Sequence, residues 1–421
     1  MYGFSLAWLQ KRGIIDHCWD YWKIIRRKSI TSRTQPYFFT SNSIFFEKIV
    51  HSRIFLSFQS FFSQGVIARL SLQANFADTA NKKLHGIKFH GTVDASGNIW
   101  YYSPMGIYVS HESALEYWRL RFDACDINAL RRSAVLPNSP PDMGLLETGN
   151  IGDLSFPLHI LLGHANARRM SKAVKQHVFT ARIPVDCFVK AGKGLMVSAP
   201  EFCFLQMAKE LPLIKLIVLG YELCGTYSLP AVITSKESIR QQRGFNTRPP
   251  LASKKKLETF LACTPGVAGH KNAARALRYI ADGAASPMEA KLAILLTMSF
   301  KLGGFNFPLP ELNSRIIPVK MAKQSSDKTY YCCDLYWPDF GLAVEYDSDF
   351  YHTGPERIAG DSKRRNALAS MGVKVVTVTN RQIHSVSELE KVARILAGHM
   401  GRRLRLPNPD FAVAQRELIS Q

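Results

Sequence analysis

The sequence predicts an α/β protein. Its clearest part is a layer in the order α-β-β-β-α-β-α over roughly residues 286 to 400, preceded by an α+β region. Three observations carry this. Two apolar runs flank Pro338-Asp339-Phe340-Gly341, which has the composition of a four-residue hairpin loop. A basic helical stretch and then the apolar run Val373–Val378 follow that hairpin. Ser286-Pro-Met-Glu289 and Ser387-Glu-Leu-Glu390 read as capping boxes at the starts of helices on either side.

Taken in order, the first helix opens at Ser286 and continues through Ala290, Leu292, Ile294, Leu295 and Leu296 to Gly303-Gly304. Asn313 to Lys320 reads as a strand leading into the hairpin. Closing the hairpin loop pairs Trp337 with Leu342, Tyr336 with Ala343, Leu335 with Val344 and Asp334 with Glu345. Opposed residues share a face, and period two adds Asp347 to the face of Asp334 and Glu345. Leu335, Leu342, Val344 and Tyr346 then line the other face.

Like charges opposed at 4 Å repel by about 4 kcal/mol at an effective dielectric of about 20. Such a face either binds a cation or shifts a pKa, and oxygen donors select Mg²⁺ or Mn²⁺. The competing reading is an edge hairpin with solvated, idle carboxylates. His352 follows the second strand. Asp361-Ser-Lys363-Arg364-Arg365 is expected to open a helix running to about Met371, with Gly372 capping it at C′. Val373–Val378 reads as a buried strand, and Ser387 starts a helix to about Met400.

This order and these residues resemble the PD-(D/E)XK nuclease superfamily, in its very-short-patch-repair-like branch. The positions carrying the resemblance are Ser286-Pro287-Met288-Glu289, Asp334, Glu345-Tyr346-Asp347-Ser348, His352, Asp361-Ser-Lys-Arg364 and Gly372. The resemblance implies a restriction-endonuclease-like core and metal-dependent hydrolysis of DNA phosphodiester bonds. It implies that Asp334, Glu345 and Asp347 hold Mg²⁺ or Mn²⁺ and that His352 acts as general base or orients water. Lys363 and Arg364 are candidates for the phosphate, and Glu289 and Asp361 for support. Two positions depart from the pattern: Asp347 stands where the superfamily has lysine, as is usual in this branch, and Ser348 stands where the branch has glycine. Glu289 is first a capping residue, because it is the fourth residue of Ser-x-x-Glu with proline at the first helical position. Lys363 and Arg364 equally fit a solvated helix face.

Residues 105–234 read as a second, α+β unit. Ile107–Ser110, Leu158–Leu162, His177–Thr180 and Gly194–Ser198 are strand-like, and helices are expected at Ser110–Arg119, from Phe202, and from Pro212 to Cys224. The stretch from His177 to Leu229 resembles the abortive-infection type IV antitoxin family, which implies a regulator-like role without catalysis. His111 and Glu112 read as helix-start residues, and nothing in the sequence supports a role for His164. Residues 235–264, with Pro249-Pro250 and Lys254-Lys255-Lys256, read as a basic linker, and a helix from His270 to Asp282 leads into the nuclease-like domain, residues 265–421.

A formal charge of +21 over 421 residues, with a pI near 9.7, predicts attraction to polyanions, nucleic acid foremost. DNA is the expected partner, and the sequence does not separate it from RNA. The eight cysteines show no CxxC pair, which reads as reduced thiols in a cytoplasm. No apolar run reaches membrane-spanning length. Residues 1–104 are rich in Phe, Ser, Lys and Arg without lasting periodicity, and read as a transit peptide, a poorly ordered basic arm, or translation upstream of the true start. Orderly patterning begins just after Met105, which favours the last. The expectation is therefore a DNA-cleaving enzyme, with a non-cleaving DNA-binding regulator of antitoxin type as the alternative.

Overall fold

The computed structural model describes backbone within residues 41–101 and residues 106–121, 132–133, 136, 153–168, 171–184, 186–192, 194–231, 244–317, 329–347, 355–406 and 409–421. The chain divides into two compact units, Met1–Tyr102 and Ser103–Gln421.

In the first unit, β1 (Ser41–Ile49), β2 (Ser52–Phe61), β3 (Ile67–Ala77), β4 (Leu84–Val93) and β5 (Ile99–Tyr101) form an antiparallel sheet in that order. These strands were not anticipated, although Ala68, Leu70, Leu72, Ala74 and Phe76 alternate with Arg69, Ser71, Gln73 and Asn75, and Ile87 and Phe89 with Lys88 and His90. The segment is also dense in Phe and Ile, whose aromatic and branched side chains favour extended backbone.

The second unit begins with a six-stranded mixed sheet. Its strands are β6 (Ile107–Val109), β7 (Arg132–Ser133), β8 (Leu158–Leu162), β9 (Val174–Val178), β10 (Phe188–Gly192) and β11 (Leu195–Ser198), in the order β7-β10-β11-β6-β8-β9. The helix α1 (His111–Leu120) follows β6 directly. Against this sheet lie α1 and α2 (Pro200–Glu210), the latter with proline in its first turn. The helix α3 (Leu213–Cys224), which stops at Gly225, packs on α2. The strand expected at His177–Thr180 lies three residues earlier, and β7 and β10 were not anticipated.

Residues 235–243 of the expected linker lie outside the described residues, and the rest of it is folded. A two-stranded ladder joins β12 (Tyr227–Ser228) to β13 (Asn246–Thr247), and α4 (Lys254–Ala262) is capped by Ser253 and buries Leu257 and Leu261. The three lysines at its start mislead as a linker signal, because they occupy the solvent face of an amphipathic helix. Next comes α5 (His270–Leu277). Apolar residues from Ile107 to Ile419 form one continuous core, so the change of pattern at 235–264 does not separate two cores.

The C-terminal part carries α6 (Pro287–Thr297) and a four-stranded sheet of β14 (Glu311–Ile316), β15 (Tyr331–Trp337), β16 (Leu342–Asp347) and β17 (Lys374–Thr379), in that order. The first two pairings are antiparallel and β16–β17 is parallel. A parallel pair needs a crossover, supplied here by α7 (Pro355–Ser370). Three of the four expected hairpin pairs form, Leu335–Val344, Tyr336–Ala343 and Trp337–Leu342, across a loop that Gly341 closes at φ +52°, and the ladder ends before the expected Asp334–Glu345 pair. After β17 come α8 (Asn380–Ile383), α9 (Val386–His399) and α10 (Pro409–Ser420).

Four local expectations are corrected. α6 ends at Thr297, short of Gly303-Gly304. β14 begins at Glu311, two residues before the expected start. α7 starts at Pro355, so Asp361, Lys363 and Arg364 lie within the helix and not at its N-terminus. The α9 cap is Ser385, whose Oγ accepts from Glu388 N–H, and not Ser387. In β17 only Val378 is fully buried, as suits an edge strand. Gly372 does end α7 as expected, at φ +77° with its N–H donating to Ala369 O.

Candidate active site

Charged groups from α6, β15, β16 and α7 meet at the end of the β15–β16 pair away from its turn. The ladder stops at Leu335–Val344. One step further, Asp334 Oδ2 accepts the backbone N–H of Tyr346 at 2.8 Å. Asp334 is half-buried, and burial raises its carboxyl above the usual range, while the Tyr346 N–H and the nearby Arg364 guanidinium draw it back.

Glu345 lies on β16 and pairs with Arg364 Nη2 at 2.5 Å. The same guanidinium donates to the carbonyl of Cys332 on β15. Arg364 is therefore a half-buried ion-pair partner that ties α7 to two strands and is not a solvated helix cation. Asp347 ends β16, half-buried and paired in register with Thr379. The thiol of Cys333 is pushed up to about 12, mainly by burial and next by Glu345.

Glu289 comes from the first turn of α6 and is buried. Ser286 Oγ accepts the Glu289 N–H at 3.2 Å and donates to Glu289 Oε1 at 2.9 Å, while Glu289 Oε2 accepts from Ala285 N–H at 2.8 Å. The capping role read from Ser-Pro-Met-Glu is thus present. Glu289 Oε2 also accepts from Asn313 Nδ2 at 2.6 Å. Asn313 opposes Asp334 when the β14–β15 register is continued from Leu312–Leu335 to Ser314–Cys333. Burial holds the Glu289 carboxyl above its usual range, the Ala285 N–H draws it back, and the nearby Asp334 carboxylate adds to the rise.

The cluster so built contains Glu289, Asp334, Glu345 and Arg364. Lys363 is exposed on α7. The side chain of Asp361 and all of His352 lie outside the described residues. The donor set is carboxylate oxygen throughout, the type a hard divalent cation takes, but among the described residues no three of these carboxylates bring their oxygens within 4.8 Å of one another. Burial works against the charge on Asp334 and Glu289, and a bound cation would offset that cost.

The roles of four side chains were missed by sequence reading. Asn313 holds a left-handed backbone at φ +49° and spans to Glu289, which no local pattern announces. In the six-stranded region His111, His159 and His177 come together although 48 and 18 residues separate them along the chain. Reading His111 as a plain helix-start residue captured its position in α1 but not its neighbours.

No family model matches this chain, and no solved structure matches it. Two Mycobacterium tuberculosis proteins are similar, the uncharacterized protein MT2308 of strain CDC 1551 and the uncharacterized protein Rv2248 of strain H37Rv. Each is 30% identical over 131 residues, which is 31% of this chain and 43% of the relative. The chain thus spans less than half the length of these curated relatives. Among the described residues no helix is long and apolar enough to cross a membrane.

Proposed function

We propose that this chain is a metal-dependent endonuclease that hydrolyses DNA phosphodiester bonds at the Asp334–Glu345 cluster. The observation that carries the reading is the convergence of Asp334, Glu345, Glu289 and Arg364 from four elements onto the end of a mixed sheet. The α-β-β-β-α-β order around it supports a restriction-endonuclease-like core, and the charge of +21 favours a polyanionic substrate.

Asp334 and Glu345 would hold Mg²⁺ or Mn²⁺, with Asp347 assisting and His352 as the base or water-orienting group. When bound, the metal supplies Lewis-acid polarisation of the phosphoryl oxygen and a more acidic water. Asp334 is oriented for this by the Tyr346 N–H, and Glu345 by Arg364. Lys363, exposed on α7, is the candidate for a DNA phosphate, and Arg364 would serve there only by exchanging its Glu345 pair. The capped Glu289 is a supporting carboxylate, held through Asn313, and Asp361 remains the second supporting candidate on α7.

A second reading has one observation in its favour. The Arg364–Glu345 ion pair already supplies Glu345 with a positive partner. A non-cleaving, DNA-binding regulator would keep that pair closed and bind DNA by its basic surface alone. Supercoiled plasmid separates the two when incubated with the full chain and Mg²⁺, Mn²⁺ or chelator. The full chain is required because the C-terminal elements share their core with the six-stranded region. Metal-dependent nicking supports the enzyme. Binding without nicking, with affinity falling steeply as salt rises, supports the regulator.

A further inference from the structure

The six-stranded region holds a second cluster of ligand-type side chains, independent of the carboxylate hairpin. His159 lies on β8 and His177 on β9. These strands pair in parallel with Leu161 opposite His177, so the two histidines project to the same side, one step apart. β6 pairs with β8 through Val109–Ile160, which brings the first residue of α1, His111, to the same edge. The His111 and His177 rings stack with centroids 3.6 Å apart, and His159 lies 5.1 Å from His177 and 6.3 Å from His111. Glu210, the last residue of α2, completes a group with His111 and His177 in which one donor atom from each lies within 4.8 Å of the others.

We propose that His111, His177 and Glu210 form a binding site for a divalent transition metal of the zinc class, with His159 beside it. Three observations support it. His177 Nε2 is buried without a hydrogen-bond partner, and so is His159 Nδ1. Buried polar nitrogens are normally satisfied, and an orphaned imidazole nitrogen is a donor atom waiting for a partner. The other His111 nitrogen is positioned as ligating histidines generally are: Nδ1 lies 3.0 Å from Ser110 Oγ, which leaves Nε2 for a ligand. His111 also holds a left-handed backbone at φ +50°, fixed by its N–H donating to the Gln206 side chain at 3.0 Å, a conformation rare outside glycine and concentrated at functional sites.

The donor chemistry chooses the metal. Two imidazoles and one carboxylate match by donor type the three-ligand zinc set with an open fourth position, at Zn–N distances of about 2.0–2.1 Å. The stacked His111 and His177 rings would turn on binding so that both in-plane lone pairs meet the metal. Imidazole donors discriminate against Mg²⁺, which prefers oxygen. Lys175 and Lys209 lie in electrostatic range of both His111 and His177. They offset the Glu210 charge, and an anion is the ligand class the open position would take beside them.

The test uses the untagged full chain, stripped with chelator and titrated with Zn²⁺ by calorimetry, and with Co²⁺ by its visible absorption. The site predicts a single high-affinity Zn²⁺ per chain and a tetrahedral Co²⁺ spectrum that excess Mg²⁺ does not remove. His177→Ala should abolish binding. Glu210→Ala, at an exposed helix end where folding is not at stake, should weaken it by roughly tenfold or more. Asp334→Asn should leave Zn²⁺ binding unchanged, which separates this site from the carboxylate cluster. Wild-type protein that takes up no Zn²⁺, or binding that survives in both His177→Ala and Glu210→Ala, overturns the proposal.

Discussion

The backbone N–H of Tyr346 donates to Asp334 Oδ2 at 2.8 Å, one step beyond the last ladder pair of the β15–β16 hairpin. A side chain here does what a strand carbonyl does elsewhere. Asp334 is therefore part of the sheet as well as of the candidate site. Removing its carboxyl leaves a partly buried N–H without its partner, which costs about 1–3 kcal/mol. Asp334→Ala should lose stability in that range, whereas Asp334→Asn keeps an oxygen at the same place and should lose less. Urea denaturation of the two variants beside wild type measures the difference.

Asn313 makes a second, separable prediction. Its left-handed backbone suits Asn or Gly, and its amide joins Gly283 O and Glu289 Oε2. Asn313→Gly removes the amide alone, while Asn313→Ala adds left-handed strain of about 1–2 kcal/mol. The alanine variant should be the less stable of the two by roughly that amount. Equal stabilities would mean that the backbone at 313 relaxes.

Away from the site, Arg119 and Glu222 form a two-pronged ion pair at 2.8 and 2.7 Å, with the Glu222 side chain fully buried. Glu222 Oε1 also accepts from Leu229 N–H. Arg119→Met leaves a buried carboxylate unpaired and should cost about 3–5 kcal/mol. Arg119→Met with Glu222→Gln removes both charges and should recover part of that loss. Thermal melts of the single and double variants decide whether the pair behaves as a unit.

The shared core predicts a single cooperative transition for residues 103–421. A Cβ at Gly225 would lie 2.6 Å from the carbonyl oxygens of Ala284 and Tyr221, one on each side of the expected linker. Gly225→Ala must shift backbone and should destabilise by about 1–3 kcal/mol. Calorimetry should show one peak moving down as a whole. Two peaks, only one of them shifted, would show that the middle and C-terminal regions unfold independently.

What could be read from the sequence was local. The hairpin register was legible because a four-residue turn and two alternating runs fix it, and the three pairs from Leu335–Val344 to Trp337–Leu342 follow. The Ser286–Glu289 cap and the Gly372 stop were legible for the same reason. The start of α7 was misplaced because Asp361 looks like a cap, while the proline at 355 is the actual first position. Arg364 could be placed on a helix but not against Glu345, since that contact depends on how α7 lies across the sheet. The histidine cluster was invisible, because His111, His159 and His177 meet only through β6–β8 and β8–β9 pairing. The first sheet was missed although β3 and β4 alternate apolar and polar residues, because the unpatterned apolar run from Phe55 to Phe62 masked that signal.

The most direct test of the central claim is nicking of supercoiled plasmid by the full chain with Mg²⁺, with Mn²⁺ and with chelator, beside Asp334→Asn and Glu345→Gln. The account predicts metal-dependent nicking that is lost in both variants while their folding and DNA binding persist. Folded wild-type protein that binds DNA but cuts with neither metal would contradict it, as would nicking that both variants retain.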